Sequence, residues 1–463
     1  MMDNVKRDVM RRKIGHIHFV GIGGIGMSGI AEVLLNLGYT VSGSDISKTD
    51  ITERLISLGA RVLYDHRSSH VGDASVVVTS TAVKEDNPEV MEAHSGNIPV
   101  IPRAEMLAEL LKMKFSIAVS GCHGKTTTTS IISTVLAYGG LDPTMVIGGR
   151  LDSIGSNARL GGGEIIVAEA DESDGSFLKL SPSIAVITNI DREHLDYYFD
   201  IGEIKDAFLQ FANSVPFYGT TILCNDCANV KDILPRIKRR VITYGVSEQS
   251  DYRATDISFE GMNSRYLLHY RGELLGDISM HAPGLFNVYN SMAAVAVARE
   301  VDMEFATIQK GLQSYKGVHR RLEVKGTAAG ITVVDDYGHH PTEIMATLAA
   351  ARQVWKGRLV VVFQPHRYTR TKALFDEFVC AFHDADTLII TDIYAASEKE
   401  IKGVNAISLC KEIKDGGHED TSYLSSFDEI VNHLKATTEP GDTVITLGAG
   451  DVWKVGEKLL NSF

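Results

Sequence analysis

The sequence predicts a mixed α/β protein of three consecutive domains, and three observations lead there. Short apolar runs alternate with helical stretches over most of the 463 residues, the pattern of parallel strands joined by crossover helices. The pattern restarts near residues 113 and 318. Two glycine-rich turns each stand directly between an apolar strand and a helix. Length agrees, because a chain of this size outgrows a single core.

The first set spans residues 1–112. Met1–Lys13 is a charged leader with no secretory apolar segment behind it. Strands are expected at His16–Gly21, Thr40–Gly43, Arg61–Tyr64, Ser75–Thr79 and Val100–Ile101, with a helix over Met27–Leu37. The second set, 113–317, has expected strands at Phe115–Ser120, Ile165–Glu169, Ile184–Thr188 and Thr221–Cys224. Between Ala254 and Met280 single residues alternate and turn signals intervene, as in an antiparallel patch, before an Ala- and Val-rich helix over Phe286–Glu300. The third set, 318–463, has strands at Ile331–Asp335, Leu359–Gln364, Thr387–Thr391 and Thr443–Leu447.

Composition narrows the function class. A hydrophobic fraction of 44% and a charged fraction of 23% are those of a soluble globular protein. No apolar run approaches the ~18 residues of a spanning helix. A net charge of -13 disfavours nucleic acid and anionic lipid as partners. Five cysteines make no disulfide framework, which points to a reducing, cytoplasmic setting. Cys224 and Cys227 form a CxxC without a second pair, so incidental thiols outrank a zinc site.

The first turn is Gly21-Ile22-Gly23-Gly24-Ile25-Gly26, with Asp45 closing the next strand where a ribose-binding acid would stand. Such a Rossmann-like turn brings backbone close to a diphosphate at a helix N-terminus. Alone it favours a nicotinamide or flavin enzyme. The second turn, Gly121-Cys122-His123-Gly124-Lys125-Thr126, is a shortened P-loop in which Val119 stands where a full motif has glycine. Its backbone N–H groups and Lys125 suit β- and γ-phosphates, and the Thr126 hydroxyl suits Mg²⁺. An oxidoreductase has no need of this second loop, and a simple ATPase has none of the first. Together they suggest ATP energy applied to a diphosphate-bearing ligand.

Acidic and histidine-rich loops follow other strands. Glu169 is the first acid after its strand and suits Mg²⁺, whereas Asp171, Glu172 and Asp174 read equally well as a solvated loop. His194, in a polar loop, is either a metal or ligand contact or an ordinary loop histidine. Asp335–Pro341 holds Tyr337 and His339, and Gln364–Arg370 holds Arg367 and Arg370, a pair suited to carboxylate or phosphate. Gly448–Asp451 is too short a signal to assign.

Taken in order, these segments resemble the Mur ligase family over the whole chain. Gly21–Gly29 is similar to the family's UDP-sugar diphosphate loop and Gly121–Thr129 to its ATP loop. AEADESD, TNIDREHLD, DDYGHHPTE and QPHRYTRT are similar to its alanine-adding branch. The resemblance implies a Rossmann-like N-terminal domain, a central P-loop mononucleotide-binding domain and a Rossmann-like C-terminal domain. It implies ATP-dependent joining of L-alanine to UDP-N-acetylmuramate through an acyl phosphate, with Mg²⁺, by a monomer or weak homodimer. By the same resemblance ATP would be held by Gly121, His123, Gly124, Lys125, Thr126, Thr127, Asn287, Asn290 and Arg321 or its neighbour Arg320. Metal would be held by Thr126, Glu169 and His194, and the substrates by Gly23, Gly24, Ile25, Gly26, Asp45, Tyr337 and His339. Lys125, Glu169, His194, His339, Arg367 and Arg370 would carry the chemistry. The family usually has histidine where this chain has Phe286. A relative that attaches a whole tripeptide shares most of these motifs; a dehydrogenase and a non-catalytic nucleotide-binding regulator are the readings from other classes.

Overall fold

The protein's structure, a computed structural model, describes residues 14–80, 82–151 and 156–463. The expected leader over residues 1–13 lies outside them. Among the described residues the strands form three sheets, one in each set read from the sequence.

The first sheet has five parallel strands in the spatial order Arg61–Leu63, Thr40–Ser44, His16–Val20, Val76–Thr79, Val100–Pro102. The earliest strand is central and the order reverses beside it, the place where open α/β sheets present a ligand crevice. Its first turn needs glycine: Gly21 has φ 78°, and the N–H groups of Gly21 and Ile22 donate to Ser44 O at 2.8 and 2.9 Å. The helix begins at Ile25, two residues before the expected Met27, because extended Gly24 serves as its N-cap.

The second sheet has ten strands. Six form its parallel centre: Arg240–Gly245, Thr220–Cys224, Ile184–Ile187, Phe115–Ser120, Ile165–Glu169 and Thr144–Leu151. The antiparallel patch, Tyr252–Glu260, Asn263–Tyr270 and Glu273–Met280, extends one side. Ser156–Arg159 closes the other edge. Helix Lys125–Tyr138 packs on helix Leu285–Glu300, whose residues from Asn290 to Ala298 are all buried, so small Ala and Val side chains line every face.

The third sheet runs Glu323–Ala328, Ile331–Asp336, Thr443–Leu447, Leu359–Phe363, Thr387–Ile390, Thr421–Tyr423. Only the first of these is antiparallel to its neighbour. Strand ends of the second and third sheets face each other, and the functional loops meet there. No helix among the described residues is long and apolar enough to cross a membrane.

Candidate active site

The second glycine turn joins strand Phe115–Ser120 to helix Lys125–Tyr138. Gly121 has φ 133° and Gly124 φ 79°; a Cβ on Gly121 would collide with Thr188 Oγ1, and one on Gly124 would come within 2.9 Å of Asn290 Oδ1. Neither position tolerates a side chain. Lys125 Nζ curls over the loop, donating to Gly121 O at 2.7 Å and to Glu172 Oε1 at 2.7 Å. Burial lowers its pKa, but the carboxylates of Glu172, Asp171 and Glu169 outweigh burial and raise it. Thr126 Oγ1 donates to Glu169 Oε2 at 3.0 Å.

Two acids that the sequence left open lie in ion pairs. Glu172 is not in a solvated loop: it is 1% exposed and ion-paired with Lys125, with His194 Nε2 at 3.5 Å. Asp171 pairs with Arg103 of the first domain at 3.2 Å. Burial raises Asp171, yet Lys125 and Arg103 hold it at about 2. Asp45 is tied to the first glycine turn. Its Oδ2 accepts from Gly23 N–H at 2.8 Å and its Oδ1 from Ser47 N–H at 3.1 Å, so it braces the turn. A Cβ on Gly26 would meet the Arg103 guanidinium, which places a cation against that turn that sequence reading missed.

A cavity of about 650 Å³ lies beside the loop. His123, Gly124 and Thr127 form one wall, Asn287, Asn290 and Phe286 another, and Arg321 and Asp336 reach in from the third domain. Thr128 Oγ1 donates to Asn290 Oδ1 at 3.0 Å and Asn290 Nδ2 to Asn287 Oδ1 at 3.2 Å, tying both asparagines to the loop's helix. The two arginines between which the sequence left a choice are placed differently. Arg320 is spent on structure, with Asp335 Oδ2 at 2.8 Å and the carbonyls of Gly448 and Gly450 at 2.6 and 3.1 Å. Arg321 lines the cavity. The Gly448–Asp451 turn, unassigned from sequence, thus anchors Arg320.

Tyr337 lies under both guanidinium groups, at 5.1 Å from Arg320 and 5.2 Å from Arg321. His339 Nδ1 stands 3.0 Å from Tyr337 O, a carbonyl that only accepts, so Nδ1 carries the proton and Nε2 keeps its lone pair. Burial and then the Arg370 charge push His339 down to about 4. It is neutral at pH 7. His123 is its opposite: burial lowers it, but bonds to Asp191 and Glu343 push it up to about 10. Asp336, buried and accepting from Leu322 and Gly338 N–H, is pushed up to about 6 by burial against the pull of Arg321.

His123, Asp191 and His340 lie close enough to hold an ion among them. His340 Nδ1 already accepts from Thr342 N–H at 3.2 Å, and its Nε2 faces Arg192 O at 3.2 Å. No lone pair on His340 remains for metal. Arg367 and Arg370, expected near substrate, are ion-paired with protein carboxylates, Asp196 at 3.4 Å and Glu193 at 2.8 Å.

Three family descriptions match the chain in succession: Mur ligase family, catalytic domain, over residues 16–115; Mur ligase middle domain over 119–298; and Mur ligase, glutamate ligase domain, over 320–450. The chain belongs to the Mur ligase family. Among its relatives is the UDP-N-acetylmuramate–L-alanine ligase of Syntrophus aciditrophicus, 68% identical over 98% of this chain and 95% of that protein. The ligase of the same name from Geotalea uraniireducens is 61% identical over 97% and 98%. A crystal structure of UDP-N-acetylmuramate-alanine ligase MurC from Thermotoga maritima superposes with a TM-score of 0.81 at 28% identity, covering 96% of this chain and 98% of that one. Mur ligase membership accounts for the coexistence of two glycine turns that a dehydrogenase reading leaves unexplained.

Proposed function

We propose that this Mur ligase joins L-alanine to the lactyl carboxylate of UDP-N-acetylmuramate, converting ATP to ADP and phosphate, as a cytoplasmic step of peptidoglycan precursor synthesis. One observation carries it: the glycine turn that bonds Lys125 to Glu172 and Thr126 to Glu169 also lends His123, Gly124 and Thr127 to a cavity that Arg321 and Asp336 line from another domain. The names of relatives at 68% and 61% identity supply the substrates. The division into 1–112 for the UDP-sugar, 113–317 for ATP and 318–463 for the amino acid is part of this reading.

A carboxylate is a poor electrophile, and phosphorylation gives it a leaving group. The lactyl carboxylate oxygen attacks the γ-phosphorus as the bond to the β-bridging oxygen breaks, releasing ADP. Alanine nitrogen then adds to the acyl carbon, phosphate leaves with its oxygen, and the nitrogen gives up a proton. Lys125 and the loop amides hold the phosphates, and Arg321 neutralises charge as it shifts. Thr126 and Glu169, 3.0 Å apart, form an oxygen pair that fits Mg²⁺, and His194, expected with them, lies 3.5 Å from Glu172. When bound, that ion supplies charge neutralisation on the phosphates. Asn287 and Asn290 face the base end of the cavity. Gly23, Gly24, Ile25 and Gly26, braced by Asp45, receive the diphosphate. Neutral His339 and Tyr337 would border the alanine pocket, which needs to admit only a methyl group.

The test is phosphate release from ATP and Mg²⁺ with UDP-N-acetylmuramate and L-alanine added separately and together. Release only with both, reduced at least ~100-fold in Lys125→Ala, is expected. Release with the tripeptide and not with alanine would transfer the assignment to the recycling relative.

A further inference from the structure

The loop after strand Ile184–Ile187 reaches into the C-terminal domain with most of its polar side chains. Asp191 Oδ2 accepts from Thr342 Oγ1 at 2.8 Å, and Arg192 Nη1 pairs with Glu377 at 3.1 Å. Glu193 and Asp196, three apart, meet Arg370 and Arg367, also three apart, in reversed order. Of these pairs only Glu193 with Arg370 is buried, at 6% and 9% exposure. Arg370 Nε and Nη2 both donate to Glu193 Oε1, at 2.9 and 2.8 Å, while Nη1 faces His366 Nδ1 at 3.1 Å. One carboxylate oxygen therefore fixes the plane of the guanidinium. His339 and His366 stand with ring centres 5.6 Å apart beside it.

The next residue points the other way. His194 has φ 54°, a left-handed backbone that a non-glycine residue adopts only where its surroundings enforce it. Its Nε2 lies 3.5 Å from Glu172 Oε1, the oxygen that holds Lys125. Adjacent residues thus touch the docked domain and the phosphate-loop cluster.

We propose that Glu193 is a positioning residue: it orients Arg370 when the C-terminal domain docks. The proposal rests on the ligase reading for its kinetic readout and on geometry alone for its structural one. Unpairing one partner of a buried ion pair leaves a desolvated charge behind.

The experiment compares wild type, Glu193→Gln, Glu193→Asp, Arg370→Ala and the Glu193→Gln/Arg370→Ala double variant, all full-length. Alanine-dependent phosphate release gives kcat and KM, a fluorescent ATP analogue gives nucleotide affinity, and small-angle X-ray scattering gives the docked fraction. Glu193→Gln is expected to lower kcat about 10- to 100-fold and to enlarge the particle, with nucleotide affinity within about twofold. Glu193→Asp, which keeps the charge, recovers most of the loss. The double variant is no slower than Arg370→Ala, because both changes cut one unit. Glu193→Gln within twofold of wild type, additive losses, or nucleotide binding lost in parallel with kcat would each overturn the proposal. Scattering needs no substrate, so a wild type inactive on these substrates would sink the ligase reading and leave the docking arm to decide this one.

Discussion

The two seams between domains are built from different materials. Between the first and second domains the apolar core is continuous: Ile17, Phe19, Met106, Leu107 and Leu110 share one cluster with Phe177, Phe208 and Phe211. Helix Ile25–Asn36 also packs on the strands Thr144–Leu151 and Ser156–Arg159 at the edge of the central sheet. Between the second and third domains the C-terminal core takes in Phe286 and helix Pro341–Val354 meets helix Leu285–Glu300 and strand Tyr252–Glu260, while residues 191–196 and His123 add a set of polar contacts. Apolar burial is non-directional and insensitive to pH, whereas ion pairs demand geometry and vanish on protonation. The first seam welds two domains into one body; the second is a latch.

Cutting the weld gives the largest expected effect. Phe177→Ala, at 1% exposure, should cost about 3–5 kcal/mol in denaturant unfolding, with the first two domains melting together. Two separate transitions in the wild type would break the comparison. A smaller effect separates a carboxylate inside one domain from those at the latch. Glu89 is fully buried among His18, His70 and Ser44; burial raises it, but those bonds hold it at about 2 instead of 4.5. A lowered carboxylate adds stability above its unfolded value and loses it as pH falls through the folded one. Glu89 should contribute about 3 kcal/mol at pH 7, disappearing between pH 4.5 and about 2. Glu89→Gln should flatten that acid limb in the melting curve and leave latch opening unchanged.

Glu193, Asp191 and Glu343 are likewise held well below the usual carboxylate range, by Arg370, by His123 and by His339 with His123, in each case against burial. The sign is the same, so scattering should report undocking as pH falls below 4.5, before far-UV dichroism reports loss of secondary structure. Simultaneous loss of both signals would contradict a reversible latch. The smallest effect belongs to Arg192→Ala. Its pair with Glu377 is about half exposed, so less than ~1 kcal/mol of docking free energy is expected, shrinking further in 1 M salt.

Much of the fold was legible because strand, turn and helix are local. The strand Phe115–Ser120, its glycine turn and its helix are consecutive, and Glu169 comes next to Thr126 simply because parallel strands end side by side. Thr144–Leu151 escaped reading because Gly148 and Gly149 resemble a turn. The partners that organise the site were hidden for another reason. Lys125 finds Glu172, Arg103 finds Asp171 and Arg370 finds Glu193 across 47, 68 and 177 residues. A charged residue in a polar loop carries no mark of a distant partner, and so Glu172 was left open between two readings and the arginines were matched to a ligand without their protein partners. Asp45 shows the converse: it follows strand Thr40–Ser44, and its partner, Gly23, belongs to the neighbouring loop.

The grip of Glu172 on Lys125 also sets what a nucleotide affinity would mean. The cation of the loop is already matched by a resident anion and two carbonyls, Gly121 O and Cys122 O. An arriving phosphate exchanges places with a carboxylate instead of filling an empty charge. Affinity is then a difference between two good embraces, modest in size and steep in its demand for correct shape, and a loop kept in balance this way has little appetite for stray anions.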